Sequence, residues 1–133
     1  MTRTETQKEN VGFAAVHFAT PGEARMLLVD DVVGGVMTIS YTPACSSVDN
    51  VIVYGPLQDV AVYGYTGQEC SIGNSGSHAG FDPGSGSVFF MIVANDGSGV
   101  EGSYGLDSSG VERPEDSGDP TCSLVQDLSQ RCD

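Results

Sequence analysis

The chain has 133 residues and a formal net charge of −13, with 18 acidic side chains set against 5 basic ones. No run approaches the roughly 20 apolar residues that a membrane helix needs, and Arg3, Lys8, Arg25, Arg113 and Arg131 are too scattered to form a phosphate-binding patch. Membrane insertion through a helix and nucleic-acid binding are therefore excluded, and anionic membrane surfaces are disfavoured for the same reason.

The length suits one domain, able to bury roughly two-thirds of the surface its unfolded form exposes. Gly 18, many serines and Trp 0 favour short strands joined by turns over a helical bundle. Residues 1–10 are polar and contain no apolar signal core, so residues 1–23 read as a leader or an extra edge strand. Within them Val11–Ala19 is apolar enough for a strand, and Thr20-Pro-Gly-Glu23 has the composition of a tight turn. Ala24–Val29 is a second apolar run, closed by Asp30 and Asp31.

Val36–Tyr41 alternates in period two: Val36, Thr38 and Ser40 share one face, while Met37, Ile39 and Tyr41 share the other. Pro43 ends that strand. Asn50–Tyr54 predicts another strand, stopped by Gly55-Pro56, and Val60–Tyr65 predicts a further one. Asn74–Gly80 reads as a Gly/Ser loop. Val88–Ala94 is apolar on both faces, which predicts a central strand covered on each side. A turn at Asn95-Asp96-Gly97 and a short polar return over Glu101–Pro114 complete a hairpin.

The expected domain spans 24–114, followed by an acidic linker and tail over 115–133. Glu112–Pro120 reads as exposed linker, and Ser123-Leu-Val-Gln126 has the form of a capping box opening a single helical turn. Strands recurring every 8–12 residues or so, with turn signals between them, predict an all-β fold: an antiparallel β-sandwich with a short disulfide-closed C-terminal tail.

Four cysteines, Cys45, Cys70, Cys122 and Cys132, permit three pairings. The sequence-local scheme, Cys45–Cys70 with Cys122–Cys132, is the simplest. No CxxC pair occurs and neither His17 nor His78 stands near a cysteine at ligand spacing, so disulfides are favoured over zinc. Disulfides imply an oxidising compartment, hence an extracellular or cell-surface location. The chain is expected to be a piece of a longer secreted protein.

Thr38-Ile-Ser-Tyr-Thr-Pro-Ala-Cys45, Val51-Ile-Val-Tyr-Gly55, Phe89-Phe-Met-Ile-Val-Ala-Asn95 and Glu101-Gly-Ser-Tyr-Gly105 together resemble fibronectin type III-like modules of large secreted bacterial proteins. The resemblance covers about 24–114 and rests on packing and turn residues. Tyr41 stands where the family often has tryptophan, and Phe90 stands where it has the corner tyrosine. The resemblance implies a non-catalytic extracellular spacer or a protein- or surface-binding module. Its partners would be other domains of a parent chain, proteins or glycan surfaces.

Chemistry is sparse. Gly73-Asn-Ser-Gly-Ser77 looks like a serine-protease nucleophile loop, with Ser75 as nucleophile and His17 or His78 as base, but the chain is too short for the double barrel behind such a loop and a flexible turn explains the same residues better. Gly97-Ser-Gly-Val-Glu-Gly102 fits a dinucleotide fingerprint yet no helix pattern follows, so it reads as a hairpin turn. Asp96, Glu101 and Asp107 place carboxylates in consecutive turns and are the candidate ligands for calcium, the one cofactor the sequence suggests. Tyr54, Tyr63, Tyr65 and Tyr104 are candidates for a sugar-stacking face. A carbohydrate- or calcium-dependent binding module is thus the alternative to a spacer, and a small serine hydrolase the third reading.

Overall fold

The computed structural model describes residues 24–116 and 121–129. The expected strand Val11–Ala19, with His17 in it, and the cysteine at 132 lie outside the described residues. The chain is all-β in two packed sheets. Sheet A has the order β1 (Arg25–Val33), β2 (Val36–Thr42), β5 (Ser77–Phe81). Sheet B has the order β4 (Gly67–Glu69), β3 (Asp49–Pro56), β6 (Val88–Asn95), β7 (Val100–Glu101), β8 (Val125–Gln126). Pairing is antiparallel throughout except between β7 and β8, which run parallel.

The local chemistry explains most of this. Gly34 and Gly35 join β1 to β2, both at positive φ, the two-residue turn whose twist matches a hairpin. Asp30 and Asp31 do not end β1, which runs on to Val33. The register slips between Val29 and Asp31, and Ser40 Oγ donates to Asp30 Oδ1 at 3.1 Å. Along β2, Ile39 and Tyr41 are buried as the alternation predicts.

β3 and β6 pair from Asp49↔Asn95 to Pro56↔Val88, and their side chains alternate between two apolar clusters. Ile52 and Ile92, with Tyr54 and Phe90, pack on Ile39, Tyr41, Ile72 and Phe81 between the sheets. Val51, Val53, Phe89, Met91 and Val93 point to the opposite side, where Tyr104, Val60, Tyr63, Tyr65 and Leu124 cover them. Sheet B is therefore buried on both faces, and its second cover is irregular chain. At Gly55 this cover comes so close that a Cβ would collide with the Gly64 carbonyl oxygen.

Several expectations are corrected. Val60–Tyr65 is not a strand: a 3-10 helix occupies Leu57–Val62 and ends at Tyr63, whose φ is 54°. Val60 and Tyr63 pack on sheet B, while Leu57 and Val62 stay exposed. The Gly/Ser run is loop only through Gly76, since β5 begins at Ser77. That strand was hidden because only His78 and Phe81 turn inward along it. Ser123-Leu-Val-Gln126 forms no helical turn; Val125 and Gln126 are β8, held by the Val125 N–H donating to the Gly99 carbonyl and the Asp127 N–H just beyond donating to the Glu101 carbonyl. An isolated helical turn has too few bonds to compete with a sheet edge. Glu112 and Arg113, expected in an exposed linker, turn inward.

The sequence-local disulfide scheme is also overturned. Cys70 bonds Cys122, which rules out both Cys45–Cys70 and Cys122–Cys132, while Cys45 is itself disulfide-bonded. The reason lies in the two-sided core: Cys70 follows β4 on sheet B and Cys122 belongs to the chain covering that sheet. At the edge where β4 and β5 meet, His78 Nε2 lies 2.6 Å from Glu69 Oε2 and ties the two sheets together. Replacing Cys70 and Cys122 by serine should cost about 2–5 kcal/mol, since a loop of separation 52 is worth about 4 kcal/mol in chain entropy. Urea unfolding of the oxidised and the substituted protein measures it, and a loss below about 1 kcal/mol would show that the cover holds without the bond.

Candidate functional site

Two consecutive turns share the sequence pattern Asp-x-Ser-Gly-Val-Glu. Asp96-Gly-Ser-Gly-Val-Glu101 joins β6 to β7, and Asp107-Ser-Ser-Gly-Val-Glu112 follows it. Each folds in the same way. Asp96 Oδ1 accepts the backbone N–H of Ser98 (2.7 Å) and of Val100 (3.1 Å); Asp107 Oδ1 accepts those of Ser109 (2.8 Å) and Val111 (3.0 Å). The aspartate N–H closes each turn on the valine carbonyl, at 3.0 and 2.8 Å. A short side chain bonding its own backbone two residues on is the ordinary turn role of aspartate.

Both turns deliver a glutamate to Tyr104. Glu101 accepts the Tyr104 hydroxyl at 3.2 and 3.4 Å, and Glu112 Oε2 accepts the Tyr104 backbone N–H at 2.6 Å. Ser103 Oγ donates to the other Glu112 oxygen at 2.7 Å. Arg113 donates to the Tyr104 carbonyl at 2.9 Å, and the Asp116 N–H donates to the Tyr104 hydroxyl at 3.0 Å. Every polar atom of a tyrosine that is 2 % exposed is thus satisfied, as a buried polar group requires.

The electrostatics follow from burial. Glu101 is 3 % exposed, and desolvation pushes its carboxyl up to about 7. The Tyr104 hydroxyl pulls against that shift, while the charges of Glu115 and Asp116 add to it. Burial raises Tyr104 as well, followed by the Glu101 charge, and burial likewise raises Tyr65. These phenols stay protonated. A carboxyl poised near neutrality is a general-acid candidate in an open cleft. Here Glu101 is buried and accepts the Tyr104 hydroxyl, so the carboxyl is committed to the packed cover.

The calcium candidates do not converge. The carboxylates of Asp96 and Asp107 each close their own turn, and Glu101 is buried against Tyr104. Among the described residues no group of three or more His, Cys, Asp or Glu side chains is placed to hold a metal ion. Three of the four candidate tyrosines do come together. Tyr65 lies 6.4 Å from Tyr63, 5.8 Å from Tyr104 and 6.0 Å from Phe89, centroid to centroid. They form the underside of the cover, and the Tyr65 hydroxyl donates to the Pro114 carbonyl at 2.6 Å. Tyr54 sits on the opposite face of sheet B, edge-on to Phe81 at 5.3 Å.

The protease-like loop has a different use. Ser75 Oγ donates to its near neighbour, the Ser77 carbonyl, at 3.0 Å, while His78 is bonded to Glu69. Gly73 and Asn74 anchor the loop instead. Asn50, fully buried on β3, donates to the Gly73 carbonyl at 2.7 Å and to Asn74 Oδ1 at 3.0 Å, and the Gly73 N–H donates to Asp49 Oδ1 at 2.8 Å. The Gly97–Gly102 motif is the β6–β7 hairpin turn, as expected, and is followed by the Tyr104 loop.

Glu112, Arg113 and Ser103 were not foreseen as partners of Tyr104. The signal for them is the repeated Asp-x-Ser-Gly-Val-Glu, which places two glutamates at equal distances from two like turns.

Two predictions follow from this geometry. Glu101 keeps its proton in the folded state to about 7, whereas unfolded it ionises near 4.5. Between these values the native state binds more protons, so stability falls as pH rises through that window. Chemical unfolding should therefore give a lower stability at about pH 8 than at about pH 5, and Glu101→Gln should flatten the difference; unchanged slopes in the variant would refute the assignment. Glu112→Ala removes the acceptor of the Tyr104 N–H and should cost about 1–3 kcal/mol by urea unfolding, against about 0.5 kcal/mol or less for Asp82→Ala on an exposed turn.

Comparison of the chain with protein families, with curated proteins and with solved structures finds no match.

Proposed function

We propose that this chain is a non-catalytic accessory module of a larger secreted protein, a fibronectin type III-like β-sandwich acting as a spacer or as a protein- or surface-binding domain. The observation that carries this reading is that, among the described residues, the side chains first suspected of chemistry hold the fold. Glu101, Glu112 and Arg113 converge on Tyr104, His78 is committed to Glu69, and Ser75 to its own turn. The Cys70–Cys122 bond supports an oxidising, extracellular or cell-surface setting. Among the described residues no helix is long and apolar enough to cross a membrane.

Two packed sheets and the Tyr41-Thr-Pro43 strand end agree with a module of this kind. The parallel β7–β8 pair and the covered outer face of sheet B are elaborations on a plain two-sheet sandwich. A second reading, a carbohydrate- or calcium-dependent binding module, draws on the turn carboxylates. It is less well supported because Asp96 and Asp107 already accept two backbone donors each.

Thermal melting with millimolar calcium, then with a glycan panel, separates the two readings, since a ligand of the native state must raise its melting temperature. The spacer reading expects no shift from either, and no turnover in esterase, peptidase and glycosidase screens. A calcium-dependent rise transfers the assignment to the binding module. A turnover that Ser75→Ala abolishes overturns both.

A further inference from the structure

We propose that the margin of sheet A at β1 is a docking edge for an extended segment of a partner protein, one that alternates aliphatic with basic side chains. β1 is nine residues long and is bonded to β2 on one side; among the described residues no strand pairs with its other edge. Residues opposite one another in an antiparallel pair share a face. Val29 stands opposite Ile39 and Val32 opposite Met37, so both valines belong to the inner face of the sheet. Ile39 is fully buried there, yet Val29 is 46 % and Val32 56 % exposed. The apolar inner face thus overhangs the core by one strand. On the other face Leu28 and Val33 are exposed as well. A groove of about 440 Å³ opens at the same end of the sheet, between Val32, Met37 and the Asp82-Pro83 turn.

A long apolar edge with no strand partner among the described residues is a template for strand addition. Charge selects the occupant. Asp30 and Asp31 interrupt the aliphatic residues of β1, and Asp82 lines the groove. Of the five basic residues only Arg25 and Arg113 lie in the described part, and Arg113 is buried. A second copy would bring another −13 to the contact and be repelled. A strand with lysine or arginine at alternate positions meets the carboxylates, and its aliphatic side chains cover Val29 and Val32. The proposal deepens the protein-binding side of the module reading and rests on it for the existence of a partner.

The test titrates the full chain with a fluorescein-labelled peptide of alternating valine and lysine, about ten residues long, and with a valine–glutamate peptide of equal length. The lysine peptide is expected to bind saturably and the glutamate peptide not at all. Val29→Thr with Val32→Thr should weaken binding about tenfold. Asp30→Asn with Asp31→Asn should weaken it too and reduce its salt dependence. Val125→Thr, on the far edge of sheet B, should leave it unchanged. Circular dichroism melts check that each variant folds, and the aspartate pair carries the test if the valine pair does not. No saturable binding, or binding indifferent to both pairs, overturns the docking edge. So does self-association of the full chain that the valine pair abolishes, since the occupant is then a second copy. Any of these leaves the module reading standing, because that reading is decided by turnover and melting.

Discussion

The β3–β6 pair is hydrogen-bonded from Asp49↔Asn95 to Pro56↔Val88, and its side chains go alternately to two separate apolar clusters. A sheet with two apolar faces must be covered twice, because each exposed aliphatic or aromatic side chain forgoes roughly 1.5–3 kcal/mol of burial. Sheet A covers one face. The chain has no third sheet among its described elements, so the other face takes a 3-10 helix, the Tyr104 loop and the C-terminal stretch. Much of the remaining polar architecture holds this second cover down.

The ties of the cover are polar because irregular chain has no ladder to satisfy its backbone. Glu112, Arg113, Glu101 and the Asp116 amide serve Tyr104, and the Tyr65 hydroxyl bonds the Pro114 carbonyl. The disulfide adds a covalent tie between cover and sheet. This explains how a chain so rich in carboxylates buries one of them, Glu101, at the expense of a strongly displaced proton affinity.

Strands with two-residue alternation or a continuous apolar run were legible in the sequence: Val36–Tyr41, Asn50–Tyr54 and Val88–Ala94 all became strands. Local apolarity reports burial, though not the element that achieves it. Val60–Tyr65 is β-branched and aromatic, yet it packs on a face already formed, so a 3-10 turn suffices. Edge strands were harder to see, because β5 turns few side chains inward and β8 is two residues long. The Tyr104 cluster is half legible: Glu101 and Tyr104 stand out by residue type, whereas Glu112 is marked only by the repeated hexapeptide pattern. Disulfide pairing was illegible, since proximity across the sheet and not along the chain decides it.

The Cys70–Cys122 bond also changes how the molecule bears load. Tension applied between a point just past position 122 and a point just before position 70 crosses through the sulfur bridge and bypasses the stretch that holds β5, β6 and β7. The bypassed length, with a separation of 52 residues, would otherwise stretch by roughly 170–190 Å. Gripped at those two points, the oxidised chain therefore yields far less slack than its contour suggests, and reduction releases the rest as a reserve of extension.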